Sequence, residues 1–332
     1  MDTGSISWLL EMWSEENHMW MQTLYFFFGI GTFLSPLLMS NFLSEENTND
    51  SPDAETLRIS NSLQSYSSIK SNISIPFFVI ALSLFVTACI NLISYIFFRY
   101  KPSLDATILC LKDDKSKNNN NYGTERGSIN DCEQKSVWTR KLILLVALSS
   151  TIICFYEGFE NITFEYFASF LIYSPFATSE ATAARISTLM SGSFTFFRGI
   201  AIFAVKWITP KSFILLDTFL MFFGVTLVYY SLNTPDLDVS KNWMLILGVI
   251  LWGSGMATFF PSLYSYIEEH IRMTDSICTI LHISCAIITP FEPIIVGRYL
   301  AILPKILLYI CYLSLSITAI ALSTFECTKS FY

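Results

Sequence analysis

LILLVALSSTIICFYEGFENITFEYFASFLIY, residues 142–173, is a run of 32 residues that is apolar almost throughout and carries Glu157, Gly158, Glu160 and Asn161 near its middle. A helix crosses the roughly 30 Å of bilayer hydrocarbon with about 20 apolar residues. As one straight helix this run would extend roughly 48 Å. The stretch is therefore expected to cross a membrane, with a break or a strong tilt near its acids.

Seven further runs satisfy the same criterion: Met21–Leu43, Ile75–Phe98, Ile186–Trp207, Ser212–Leu232, Trp243–Ile267, Ile277–Val296 and Leu303–Phe325. In lipid every backbone polar group must be satisfied inside the segment, and the runs are too long for barrel strands, so helices are expected. Composition agrees with this reading. Hydrophobic residues make up 52% of the 332 and charged residues 14%, with 29 phenylalanines and 16 tyrosines, as suits a chain solvated by lipid. The net charge of -7 comes largely from acids between the apolar runs, and no basic stripe exists for nucleic acid. The first twenty residues carry Asp2, Glu11, Glu15 and Glu16 without a lysine or arginine, unlike a secretory signal peptide.

Charge also sets the expected topology. The segment from Arg99 to Lys141 contains nine of the twenty basic residues, which directs it to the cytosol by the positive-inside rule. Its polar core, KDDKSKNNNNYGTERGS, reads as a disordered linker. Alternation then places both termini inside and residues 44–74 outside, where Asn49 and Asn72 open N-x-S/T sequons and are candidates for glycosylation. A third sequon at Asn161 falls within a span. Cys89, Cys154, Cys278, Cys285 and Cys311 lie inside apolar runs, whereas Cys110, Cys132 and Cys327 fall in segments assigned to the cytosol. None has zinc-site spacing, so buried apolar residues or free thiols are expected, with no bridge.

Three phrases carry a family likeness: MQTLYFFFGIGTFLSPLL at 21–38, GSFTFFRGIAIF at 192–203 and TFFPSLYSYIEE at 258–269. Together they resemble the sodium-dependent glucose transporter 1 family of the major facilitator superfamily. The resemblance implies an all-α, polytopic membrane helix bundle of major facilitator type, with about eight transmembrane helices equivalent to helices 5 to 12 of twelve. On that reading residues 1–98 are a remnant of the N-terminal bundle with two helices and the extracytoplasmic loop 44–74. Residues 99–141 are a cytosolic linker, and 142–332 the C-terminal six-helix bundle. It further implies alternating access, a small-molecule sugar substrate taken up with sodium as coupling ion, and a plasma-membrane location. The carrier so implied is expected to be incomplete as given, and a non-transporting truncated or regulatory membrane fragment is the alternative.

An ionisable side chain inside a span costs roughly 2.5–3.5 kcal/mol on insertion scales, so Glu157, Arg198 and Glu292 are the foremost candidates for function. Glu157 lies sixteen residues beyond Lys141, about 24 Å up, and Glu292 fifteen beyond Ile277, about 22 Å up. Sharing a level, the two carboxylates are candidates to hold a coupling cation or to accept sugar hydroxyls; hydration near the outer surface is the competing reading. Pro290 and Pro293 flank Glu292 and free carbonyls that can join such a site. Arg198, about 12 Å inside from Lys206, either snorkels to headgroups or, as the family phrase implies, sits at a domain interface in the gating apparatus.

Trp252, amid Gly248, Gly253 and Gly255, is a candidate for stacking on a sugar, against simple helix packing. Gln22, Asn91 and Asn161 can bond either a hydroxylated substrate or a neighbouring helix. Glu268 and Glu269, with His270 and Arg272, form a charged gate or loop at the cytosolic end of their helix, and His282 reads as a satisfied helix contact. An intramembrane enzyme is not expected, because H-E-x-x-H is absent and the W-G-S-G stretch at 252–255 has no supporting histidine motif.

Overall fold

The computed structural model describes residues 17–40, 77–93, 96–97, 140–233, 242–271 and 275–330. The sequons at Asn49 and Asn72, the loop that holds them and the linker up to Thr139 lie outside the described residues, as do Arg272, Cys110 and Cys132. The chain forms two compact units, residues 74–139 and the remainder. In the smaller one the described element is α2, Phe77–Ile93, an apolar helix with Phe77, Leu82, Phe85 and Ile93 all exposed. Asn91 bonds within this helix, its Nδ2 donating to the Thr87 carbonyl at 3.0 Å.

The larger unit contains α1 (Asn17–Ser40), α3 (Arg140–Tyr173), α4 (Glu180–Ala204), α5 (Pro210–Ser231), α6 (Trp243–Glu268), α7 (Asp275–Ile288), α8 (Phe291–Tyr299) and α9 (Ile306–Ser330). Counting Ser276–Tyr299 as one broken span, six helices among the described residues are long and apolar enough to cross a membrane. The protein is thus a polytopic helical bundle. Its helix starts follow from local chemistry: Ser179, Thr209 and Asn242 cap α4, α5 and α6 by accepting from the amides of Thr182, Ser212 and Leu245. Pro210 occupies the first turn of α5, where its missing N–H costs nothing.

Of the two outcomes expected for the long run near Glu157, a break or a strong tilt, the break does not occur. α3 is continuous over 34 residues, about 51 Å at 1.5 Å per residue, so any excess over the bilayer is taken up by tilt or protrusion. Neither Gly158 nor the acids interrupt its backbone ladder. The interruption falls instead at Thr289–Pro290, between α7 and α8, where two prolines within four residues remove donors to the preceding turn.

The most buried helix is α6, every residue from Trp252 to Ile267 being buried. α5 packs closely along it, α4 lies on another face and α1 rests mainly on α4 and secondarily on α6, while α3 packs on α9 and α7. The approach of α5 to α6 depends on small residues: a Cβ on Gly224 would lie 2.5 Å from the Trp252 amide nitrogen, and one on Gly255 would lie 2.8 Å from the Asp217 carbonyl. Between membrane helices such close packing replaces the hydrophobic drive available in water.

Candidate functional site

Pro261 sits inside α6, so the Ala257 carbonyl, four residues earlier, lacks its usual helical donor. Arg198 of α4 fills that gap, its Nε donating to the Ala257 carbonyl at 2.8 Å. Its Nη1 donates to the Tyr25 carbonyl of α1 at 2.8 Å, and Nη2 lies 3.8 Å from Glu160 Oε1 of α3. The guanidinium is fully buried and stands 3.8 Å from the centre of the Phe194 ring, with Tyr25 and Phe28 beyond. Arg198 therefore does not snorkel; it ties α1 to α3, α4 and α6.

The residues beside Ala257 receive the other helices. Tyr156 of α3 donates its hydroxyl to the Met256 carbonyl at 2.9 Å, and Thr258 donates its own to Asp217 Oδ2 of α5 at 2.5 Å. Three consecutive residues of α6 thus hold side chains from α3, α4 and α5. The three sequence phrases meet here as well, since Thr195 Oγ1 donates to the Gly29 carbonyl at 2.7 Å and Gln22 Nε2 donates to Ser262 Oγ at 3.3 Å. Glu160 and Asp217 were not foreseen as partners in this hub. Both are acids within apolar runs, and that was their available signal.

A second polar group forms at the broken helix. Glu292 stands in the first turn of α8, buried, where exposed amides and the helix dipole favour negative charge. Ser314 of α9 donates to its Oε1 at 2.9 Å, while Oε2 is buried without a hydrogen-bond partner. The carboxylate presses on α3 at Gly158, where a Cβ would lie 2.5 Å from Oε2 and 2.7 Å from Cδ. Thr318, one turn along α9 from Ser314, has a buried hydroxyl with no partner.

The structure shows no hydrogen bond or ion pair between Glu157 and Glu292; Glu157 is half-buried and its neighbour is Cys285 of α7. Asn161 is half-buried on the same helix. Trp252 is wholly buried, its ring stacked on Phe159 at 5.9 Å and edge-on to Phe167 at 5.6 Å, with Nε1 lacking a hydrogen-bond partner. Gln22 likewise keeps Oε1 buried and unpartnered.

At the C-terminal end of α6, Glu268 is half-buried and Glu269 exposed. His270 turns back so that Nδ1 meets the Tyr266 carbonyl at 2.8 Å; partial burial and the nearby Lys329 and Lys211 lower its pKa below the ordinary 6.5, against the pull of Glu269. Tyr266 donates its hydroxyl to Glu326 of α9, which also pairs with Lys211 of α5 at 2.7 Å. His282 bonds within its own helix, at 3.0 Å from the Cys278 carbonyl. Among the described residues no group of three His, Cys, Asp or Glu side chains is arranged to hold a metal ion.

No family model matches the chain. It is 25% identical over 336 residues to sodium-dependent glucose transporter 1A of Mus musculus, covering 96% of this chain and 70% of that protein. It is 27% identical over 279 residues to sodium-dependent glucose transporter 1 of Homo sapiens, covering 81% of this chain and 48% of the relative. Against major facilitator superfamily domain-containing protein 4A of Xenopus tropicalis it is 23% identical, covering 85% and 61%. The chain thus spans about half to two-thirds of the length of most of these relatives. Across most of its own length it is similar to the sodium-dependent glucose transporter 1 proteins and to a major facilitator superfamily domain-containing protein, and its fold is a polytopic helical bundle in keeping with that likeness.

Proposed function

We propose that this membrane protein is a non-enzymatic solute carrier of the plasma membrane that takes up a hexose-like sugar together with sodium by alternating access. The names of its relatives supply the sugar and the ion. The observation that carries the reading within this chain is Glu292: a buried carboxylate at the start of a half-helix, with one oxygen unpartnered and a hydroxyl on the other. In membrane carriers the breaks of discontinuous helices line ion and substrate sites, with the carbonyls at the end of the preceding half-helix, here α7, available to a cation. A monovalent cation at Oε2 offsets the buried charge, with the Ser314 hydroxyl on the same carboxylate. Glu157 and Asn161, partly open on α3, are the sugar-facing candidates. Trp252 joins them in a state where Phe159 and Phe167 part from it. Arg198 holds the interface between α1 and the other helices, and Glu268 and Glu269 stand at the end of α6 as its gate.

The test is uptake of labelled glucose into liposomes containing the purified chain, with and without an inward sodium gradient. Any sodium-stimulated uptake that the chain supports is expected to fall at least tenfold at low sodium in Glu292→Gln. Absence of uptake by the chain favours a non-transporting membrane fragment, and an unchanged half-saturating sodium concentration in the variant removes Glu292 from the ion site.

A further inference from the structure

The hub at Met256–Ala257–Thr258 contains two acids, Glu160 and Asp217, and one permanent cation, Arg198, all inside helices of membrane-spanning length. Arg198 is fully buried and Asp217 nearly so at 3% exposure. The guanidinium is committed: two of its nitrogens bond backbone carbonyls and the third faces Glu160 at 3.8 Å. Asp217 makes no ion pair among the described residues, and the partner found for it is the Thr258 hydroxyl at 2.5 Å. A lone hydroxyl does not compensate an ionised carboxylate taken out of water, and a bare buried charge is the costliest arrangement available. Two acids against one base leave the hub one positive charge short.

We propose that the Glu160–Arg198–Asp217 hub is a proton-binding site that holds a single exchangeable proton shared between its two carboxyl groups. With Arg198 facing Glu160 the proton resides on Asp217; movement of the guanidinium toward Asp217 favours the proton on Glu160 instead. Binding is the simple addition of a proton to a carboxylate, and the pair titrates as a unit.

The charged and titratable groups facing this site are few. α3 contributes Tyr156, which interacts with Glu160, Arg198 and Asp217, and Glu157, which acts on Glu160. α1 contributes Tyr25, against Arg198, and His18, whose ring lies 6.4 Å from Phe213, one turn before Asp217 on α5. α6 contributes Thr258. From α9, the other helix packed on α5, Tyr312 donates to Thr226, and Glu326 is engaged by Lys211 and Tyr266. None of these supplies a second cation to Asp217. The inference stands apart from the sodium and sugar reading; in a carrier, the consequence is that proton uptake or release accompanies rearrangement of α1 against α4 and α6.

Infrared spectroscopy of the purified full chain tests it, reading the C=O stretch of protonated carboxyl groups at neutral pH in a Glu292→Gln background, which removes the acid whose Oε2 is buried without a hydrogen-bond partner. The expected band corresponds to one carboxyl per chain. Adding either Asp217→Asn or Glu160→Gln abolishes it, because the remaining acid then pairs with Arg198 and ionises. Raising the pH removes the band in one step, and thermal stability falls from about pH 4, where the unfolded chain loses this proton, up to that step and levels off beyond it, a loss that Asp217→Asn lacks. Absence of the band from the background protein overturns the proposal, and so does its survival in either amide variant. If one amide variant fails to fold, the other still decides. Because no step requires transport, failure of the uptake assay leaves this result intact.

Discussion

Glu292 owes its position to what is missing opposite it. Gly158 gives the carboxylate room to press on α3, and the atoms that a Cβ there would meet are the far end of a flexible side chain rather than backbone. Gly158→Ala is therefore expected to turn the carboxylate out of its seat with little effect on folding. The change also gains up to about 1 kcal/mol of helix propensity. Thermal melting in detergent checks the first half, with a shift of a few degrees at most. A sodium titration of glucose uptake checks the second, with the half-saturating concentration rising as it does in Glu292→Gln. A melting point that falls steeply would show that Gly158 packs against backbone. Arg198 is the opposite case, a residue defined by what it touches: removing one partner of a buried ion pair costs about 3–5 kcal/mol, and its planar fork cannot be replaced by lysine.

Among the elements, the seam between α5 and α6 sets how close the helices come. Gly224→Ala would put a methyl 2.5 Å from the Trp252 amide nitrogen and 2.8 Å from its Cα, both backbone atoms that cannot step aside singly. Overpacking of this kind costs about 1–3 kcal/mol. Gly31→Ala in α1, where a Cβ meets nothing within 4 Å, is the control and is expected to leave stability unchanged or slightly raised. Melting curves of the two variants, measured side by side in one detergent, check the contrast. Equal melting points would mean that the two helices are not held at this separation. The broken span belongs to the same level: Pro290 and Pro293 end α7 and start α8, so Glu292 heads a short helix instead of lying in the middle of a long one.

For the molecule as a whole, topology is the property to test. The charge asymmetry of the sequence directs both termini to the cytosol. In a variant retaining only Cys327, which is exposed near the end of α9, a membrane-impermeant maleimide is expected to label inside-out vesicles but not intact cells. A variant retaining only the buried Cys311 is expected to resist labelling from both sides. Labelling of Cys327 in intact cells would invert the assigned orientation. In the larger unit α1 packs with the helices from Arg140 onward, joined to them through Arg198, Thr195 and Gln22.

Runs of apolar residues were enough to give the helices of the bundle and their approximate ends, because in lipid a segment that long has no other way to satisfy its backbone. They also singled out Glu157, Arg198 and Glu292 as candidates, since a charge in such a run stands out against its cost. Partnership was beyond their reach. The level shared by Glu157 and Glu292 is a coordinate along two helices, whereas contact depends on rotation about each axis and on which helices are neighbours. The fold turned Glu292 onto Gly158 and Ser314, and Glu157 toward Cys285. Glu160 and Asp217 lie in different helices 57 residues apart, and they became parts of one charge hub only when α3, α4 and α5 closed on the same three residues of α6. The continuity of α3 was likewise settled by packing: with neighbours on several faces, its glycine and acids are held within one helix, and length alone could not reveal that.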